Sequence, residues 1–106
     1  MEHKHEIDIE LDETVAQGNY ANLVIISHSA SEFVLDFAAM MPGLPKAKVK
    51  NRIILAPEHA KRLLMSLQDN ITRYESNVGQ IKIVSPQTEI ADEQGAVAVG
   101  FNMGEA

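Results

Sequence analysis

Apolar residues recur in two rhythms along this chain, and the change between them predicts its architecture. From Glu6 to Ala56 the rhythm is every second residue. Ile7, Ile9 and Leu11 alternate with Glu6, Asp8, Glu10 and Asp12, which predicts a strand with one apolar and one acidic face. Glu13 to Asn19 reads as a connector, with Gly18-Asn19 as its turn signal. Tyr20 to His28 reads as a second strand. Its run Leu23-Val24-Ile25-Ile26 is rich in β-branched residues and suits a strand covered on both faces. Ser27 to Ser31 is a short polar connector, so the next strand, Glu32 to Met40, should form an antiparallel hairpin with the second. Phe33, Leu35, Phe37 and Ala39 share one of its faces. Met41-Pro42-Gly43-Leu44-Pro45 is a loop. Lys46 to Ala56 reads as a fourth strand, with Ala47, Val49, Asn51, Ile53 and Leu55 on one face. Lys46, Lys48, Lys50 and Arg52 fall on the other, with Ile54.

From Pro57 to Val78 the rhythm is three to four. Ala60, Leu63, Leu64, Leu67, Ile71, Tyr74 and Val78 make one stripe on a helical period. Proline suits the first helical position, where its missing N–H has no partner to lose. Gly79 is placed to end the helix in a left-handed C-terminal cap. Ala60, Leu67 and Tyr74 are spaced by seven, as are Leu64, Ile71 and Val78. That near-heptad seam is more regular than a helix lying on its own sheet requires.

These elements predict an α+β fold: a four-stranded antiparallel sheet followed by one long helix packed across it. Residues 6–84 should form a single domain. Residues 1–5 read as a disordered N-terminus. Ile81 to Val84 reads as a short strand or the exit from the helix. Residues 85–106 read as a flexible acidic tail, in which only Val97 to Phe101 is apolar. A domain of 106 residues buries a smaller fraction of its surface than a larger one does and gains most from a partner subunit. A homodimer or dimer of dimers is therefore expected, with Leu64, Leu67, Ile71 and Tyr74 at the interface.

Charge adds a second pattern. Four acids on the first strand match four bases on the fourth, so the two strands are expected to be neighbours, each pair contributing roughly 0.2–1 kcal/mol. The rival reading is an anion or partner site formed by Lys46, Lys48, Lys50, Arg52, Lys61 and Arg62. Such binding would weaken steeply with salt. The net charge of −6 weighs against nucleic acid as the partner. The polar first dozen residues show no signal peptide and no run is long enough to span a membrane, so the cytoplasm is the expected compartment.

Catalytic chemistry finds little support. Cysteine is absent, which excludes disulfides, thiolate metal sites and cysteine nucleophiles. No phosphate-binding loop, zinc-protease motif or nucleophile elbow occurs. His3 and His5 are a weak metal pair, and no metal or cofactor is expected. Ser27, His28, Ser29 and Asp36 include the residue types of a hydrolytic triad without its spacing, so a small enzyme with a site near His28 and Asp36 is the least favoured class. His59 sits in the first helical turn, and Tyr20, Asn22 and Asp36 read as hydrogen-bond anchors on the sheet.

The run NYANLVIISHSASEFVLDFAAMMPG and the later VKNRIILAPEHAKRLLMSLQDNITRYESNVGQI resemble a bacterial and archaeal family of proteins about this long, catalogued as a domain of unknown function. The resemblance rests on Tyr20-Ala21-Asn22, Glu32-Phe33, Asp36-Phe37, Pro42, Arg52-Ile53, Pro57 to Lys61, Leu63, Leu67, Tyr74-Glu75 and Gly79. It implies no activity. The element order is also similar to that of SecB, a small acidic oligomeric export chaperone, at the level of fold alone. Together these favour a non-catalytic protein-interaction or chaperone-like module over anion binding and over catalysis.

Overall fold

The computed structural model describes residues 6–43 and 45–83, together with the backbone of 97–100. Its elements are a one-turn helix α1 (Glu13–Ala16), strands β1 (Leu23–His28), β2 (Phe33–Ala39) and β3 (Lys48–Leu55), the long helix α2 (Pro57–Asn77) and a four-residue strand β4 (Val97–Gly100). The first three strands form an antiparallel sheet in which β2 is central, and β4 runs antiparallel beside β1, giving the order β3-β2-β1-β4. The α+β class and the long helix thus follow the sequence pattern. Residues 1–5, the pair His3 and His5, Leu44, Val84 and most of the 85–106 tail lie outside the described residues.

The strand expected at 6–12 does not form. Glu6 to Asp12 adopts no regular element, and Ile7, Ile9 and Leu11 are 77%, 91% and 67% exposed. An alternating segment gains strand geometry only from a neighbouring edge that takes its backbone hydrogen bonds. Among the described residues it has none. The expected neighbour β3 pairs with β2 alone, so the four-stranded meander is replaced by a three-stranded one. Downstream, the connector holds a helical turn. The Asp12 side chain accepts from the backbone N–H of Thr14 at 3.2 Å and caps α1.

The hairpin forms as expected. Ser29 N–H donates to the Glu32 carbonyl at 2.9 Å and closes the β1–β2 connection. At the other end Asn22, which is buried, extends the pairing with its side chain. Its Nδ2 donates to the Met40 carbonyl at 3.0 Å, and its Oδ1 accepts from Met40 N–H at 2.8 Å. The amide thus copies one rung of a strand ladder where the strands stop. Leu23 and Ala38 make a small core on that face, with Ile25 and Met40 packed against them.

α2 begins at Pro57 and runs 21 residues, about 32 Å. Val78 N–H donates to the Tyr74 carbonyl at 2.7 Å to finish it. Gly79 follows with φ at 150°, positive as expected for a stop but beyond the left-handed helical well of the expected cap. The expectation that α2 packs across its own sheet fails. None of its residues is buried, and its main contact with the sheet is with β3, the strand it follows. After Gly79 the chain turns back, and Ile81 N–H donates to the Glu75 carboxylate at 3.0 Å; residues 80–83 form no strand.

Candidate protein-interaction surface

The register assigns each strand residue to a face, because residues directly opposite one another point to the same side. Val24, Ile26 and His28 of β1 share a face with Phe33, Leu35 and Phe37 of β2 and with Asn51, Ile53 and Leu55 of β3. This face is apolar save for His28, Asn51 and, beyond the bulge in β3, Lys48. His28 stacks on Phe33 with ring centroids 5.3 Å apart. Asn51 accepts from Asn19 at 2.9 Å, which ties the entry to β1 across β2. Ile26 and Ile53 remain exposed on it.

The opposite face carries Leu23, Ile25, Ser27, Val34, Asp36, Ala38, Arg52 and Ile54. Here the sequence pattern missed the principal electrostatic feature of the fold. Asp36 accepts two hydrogen bonds from Arg52, Nε to Oδ1 at 2.7 Å and Nη2 to Oδ2 at 2.9 Å. The fork-to-carboxylate geometry is bidentate, the strongest form of such a pair. Hydrogen bonding from Arg52 holds the Asp36 carboxyl below its ordinary range, with burial opposing and the charge of Arg52 assisting. The pair is one-sided: the Asp36 side chain is 11% exposed and the Arg52 side chain 63%, so water screens it from the Arg52 side.

The basic stripe is broken as well. Phe37 faces Asn51 and Ala38 faces Val49, leaving Lys50 as an extra residue at a β-bulge. The bulge shifts the phase of β3, so Val49 shares the face of Arg52 while Lys48 falls on the side of Asn51. Lys46 precedes β3. Of the six residues expected to bind an anion, Arg52 is held by Asp36, and Arg62 on α2 is held by Glu58 at 3.0 Å. Arg73 likewise pairs with Asp69 at 2.8 Å. Lys46, Lys48, Lys50 and Lys61 make no ion pair among the described residues. The expected pairing of the 6–12 acids with the β3 bases is absent within the chain, and Arg52 pairs with β2 instead.

His28 and Asp36, the centre of the enzyme reading, lie on opposite faces of the sheet. His59 and Tyr20 are exposed, on α2 and ahead of β1. The register therefore assembles no nucleophile, base and orienter from these residues. Among the described residues no group of three or more His, Asp or Glu side chains could hold a metal ion. No described helix is long and apolar enough to cross a membrane.

Among the described residues, the α2 stripe is a continuous uncovered apolar feature. Leu64, Leu67, Ile71 and Tyr74, the expected interface, are all exposed, Leu64 at 58% and Leu67 at 54%. With Gln68, Thr72 and Glu75, the first three line an open groove along the helix. Fully burying a leucine or isoleucine side chain contributes about 1.5–3 kcal/mol. These three are about half exposed, so covering what remains would contribute roughly 2–5 kcal/mol, a sizeable part of the stability of a small domain.

A family model described as a protein of unknown function, DUF3467, matches residues 1–83, and the chain belongs to that family. No curated protein and no solved structure matches it.

Proposed function

We propose that this protein is a non-catalytic interaction module with chaperone-like action in the cytoplasm. It self-associates through the α2 seam as a homodimer or dimer of dimers, and offers its apolar sheet face to a protein partner. The observation that carries the reading is the uncovered seam. Ala60, Leu64, Leu67, Ile71, Tyr74 and Val78 alternate steps of four and three, the spacing of helices that pack on helices. An apolar stripe of that regularity is expected to meet a copy of itself. With the seam so used, the face of Val24, Ile26, Phe33, Phe37 and Ile53 is left for an apolar segment of another protein. Nucleic acid is not a partner in this reading, because the basic residues are split by the bulge at Lys50 and two arginines are already paired.

The test is light scattering from an unfolded reporter protein diluted out of urea. An equimolar amount of this protein is expected to reduce the reporter's aggregation by half or more. The double variant Ile26→Asp, Ile53→Asp should lose most of that effect while keeping its far-ultraviolet circular dichroism. No reduction at a tenfold molar excess would overturn the chaperone-like part of the proposal.

A further inference from the structure

The chain ends its sheet on one side with a bare edge and carries, elsewhere, an unpaired segment shaped to fill one. β3 is the outer strand of the sheet, so about half of its backbone N–H and C=O groups point away from β2 with no strand to receive them. Glu6 to Asp12 is seven residues of strict alternation that pair with no described strand, Asp12 at its end capping α1, and β3 is eight residues long. The two are matched in length, at about 24 and 27 Å when extended.

Their charges are complementary. Glu6, Asp8, Glu10 and Asp12 are opposite in sign to Lys46, Lys48, Lys50 and Arg52; the bulge at Lys50 places Lys48 and Arg52 on different faces, so the match is between the acidic segment and the basic edge as a whole rather than residue by residue. Glu6, Asp8 and Glu10 make no ion pair among the described residues, and neither do the three lysines. The apolar side chains match too. With the acids on the Arg52 side of the sheet, Ile7, Ile9 and Leu11 fall on the side of Ile53 and Leu55 and widen that apolar face. A lysine-rich edge repels most stray strands, yet it attracts an acidic one, which gives the edge selectivity.

We propose that Glu6–Asp12 of a second copy adds as a strand to the outer edge of β3, and that the exchange is reciprocal. This rests on the reading that the chain self-associates. The segment covers nothing of its own sheet, and the α2 seam independently calls for a second copy. One two-fold dimer then satisfies both, since an isologous contact places each acidic strand on the other subunit's basic edge. The opposite charges of segment and edge select this edge, while the seam supplies most of the apolar burial.

The experiment uses two full-length variants. One reverses the acids (Glu6→Lys, Asp8→Lys, Glu10→Lys) and the other reverses the bases (Lys46→Glu, Lys48→Glu, Lys50→Glu). Each alone is expected to self-associate at least about tenfold more weakly than the unaltered chain at low salt, measured by sedimentation. Mixed in equal amounts they should recover the dimer mass, and native mass spectrometry should find the mixed pair, because each strand then meets an edge of opposite sign. Milder single reversals, Asp8→Lys and Lys50→Glu, repeat the test should the triple variants lose their circular dichroism. Undiminished association of each variant alone overturns strand exchange and leaves seam-mediated association standing. Weakened association without rescue on mixing also overturns it, since pairing inside one chain predicts that pattern. A monomeric unaltered chain overturns both.

Discussion

Leu67→Asp, in the middle of α2, is expected to abolish self-association, raising the dissociation constant at least about 100-fold. The residue is central in the seam, with Leu64 and Ile71 on either side and Ala60 and Tyr74 one heptad away. A carboxylate there must be desolvated between two helices with no cation facing it across an apolar stripe. Its helix propensity, by contrast, lowers local stability by only about 0.5 kcal/mol, so the helix itself is not the casualty. Ser66→Asp is the control. It makes the same chemical change one residue away, off the seam, and should leave the association unchanged. Sedimentation of the two variants beside the unaltered chain reads the result directly. Equal weakening by both would show that added charge, rather than seam contact, is responsible.

The second large effect concerns Asp36 and Arg52. Arg52→Leu removes both hydrogen bonds and leaves a covered carboxylate without its partner. Breaking a covered pair from one side is more damaging than removing both ends, because the stranded group keeps its desolvation penalty. The midpoint of thermal unfolding is expected to fall by about 4–8 °C, and the Asp36→Leu, Arg52→Leu double variant should regain part of that loss. The pH dependence follows from the direction of the Asp36 shift. Its folded pKa lies below the ordinary value of 3.8, so its contribution is present above pH 3.8 and is lost as pH falls through the folded value. Asp36→Asn should therefore flatten the acid limb of the stability curve below about pH 4 and change little between pH 6 and 8. An unaltered acid limb in Asp36→Asn would assign that acid sensitivity to other carboxylates.

The elements whose pattern is set by residues near in sequence were legible in the chain. β1 and β2 follow from Leu23 to Ile26 and from the alternation at Phe33, Leu35 and Phe37, and their short connector makes the hairpin. α2 follows from its stripe, with Pro57 at its start and Gly79 at its stop. What escaped was whatever depends on who stands beside whom. Glu6 to Asp12 has a strand's pattern, but pattern sets which side chains share a face and not whether an edge exists to receive them. The Asp36–Arg52 pair required the β2–β3 register, which an eight-residue connection does not specify. The bulge at Lys50 has no glycine or proline to announce it, and it reorders a lysine stripe that strict alternation had made continuous. β4 is only four residues long, too short for its alternation to stand out from the surrounding tail. The seam on α2 is the opposite case: the sequence displayed its period plainly, and the structure adds that none of the described residues buries it.

The account stands on that uncovered seam, and sedimentation equilibrium of the unaltered full-length chain tests it most directly. Over a range of loading concentrations at physiological salt, the mass is expected at twice the 11.7 kDa of one chain, or at a whole multiple of that dimer. A mass of 11.7 kDa at every concentration, with α2 still helical by circular dichroism, would contradict it.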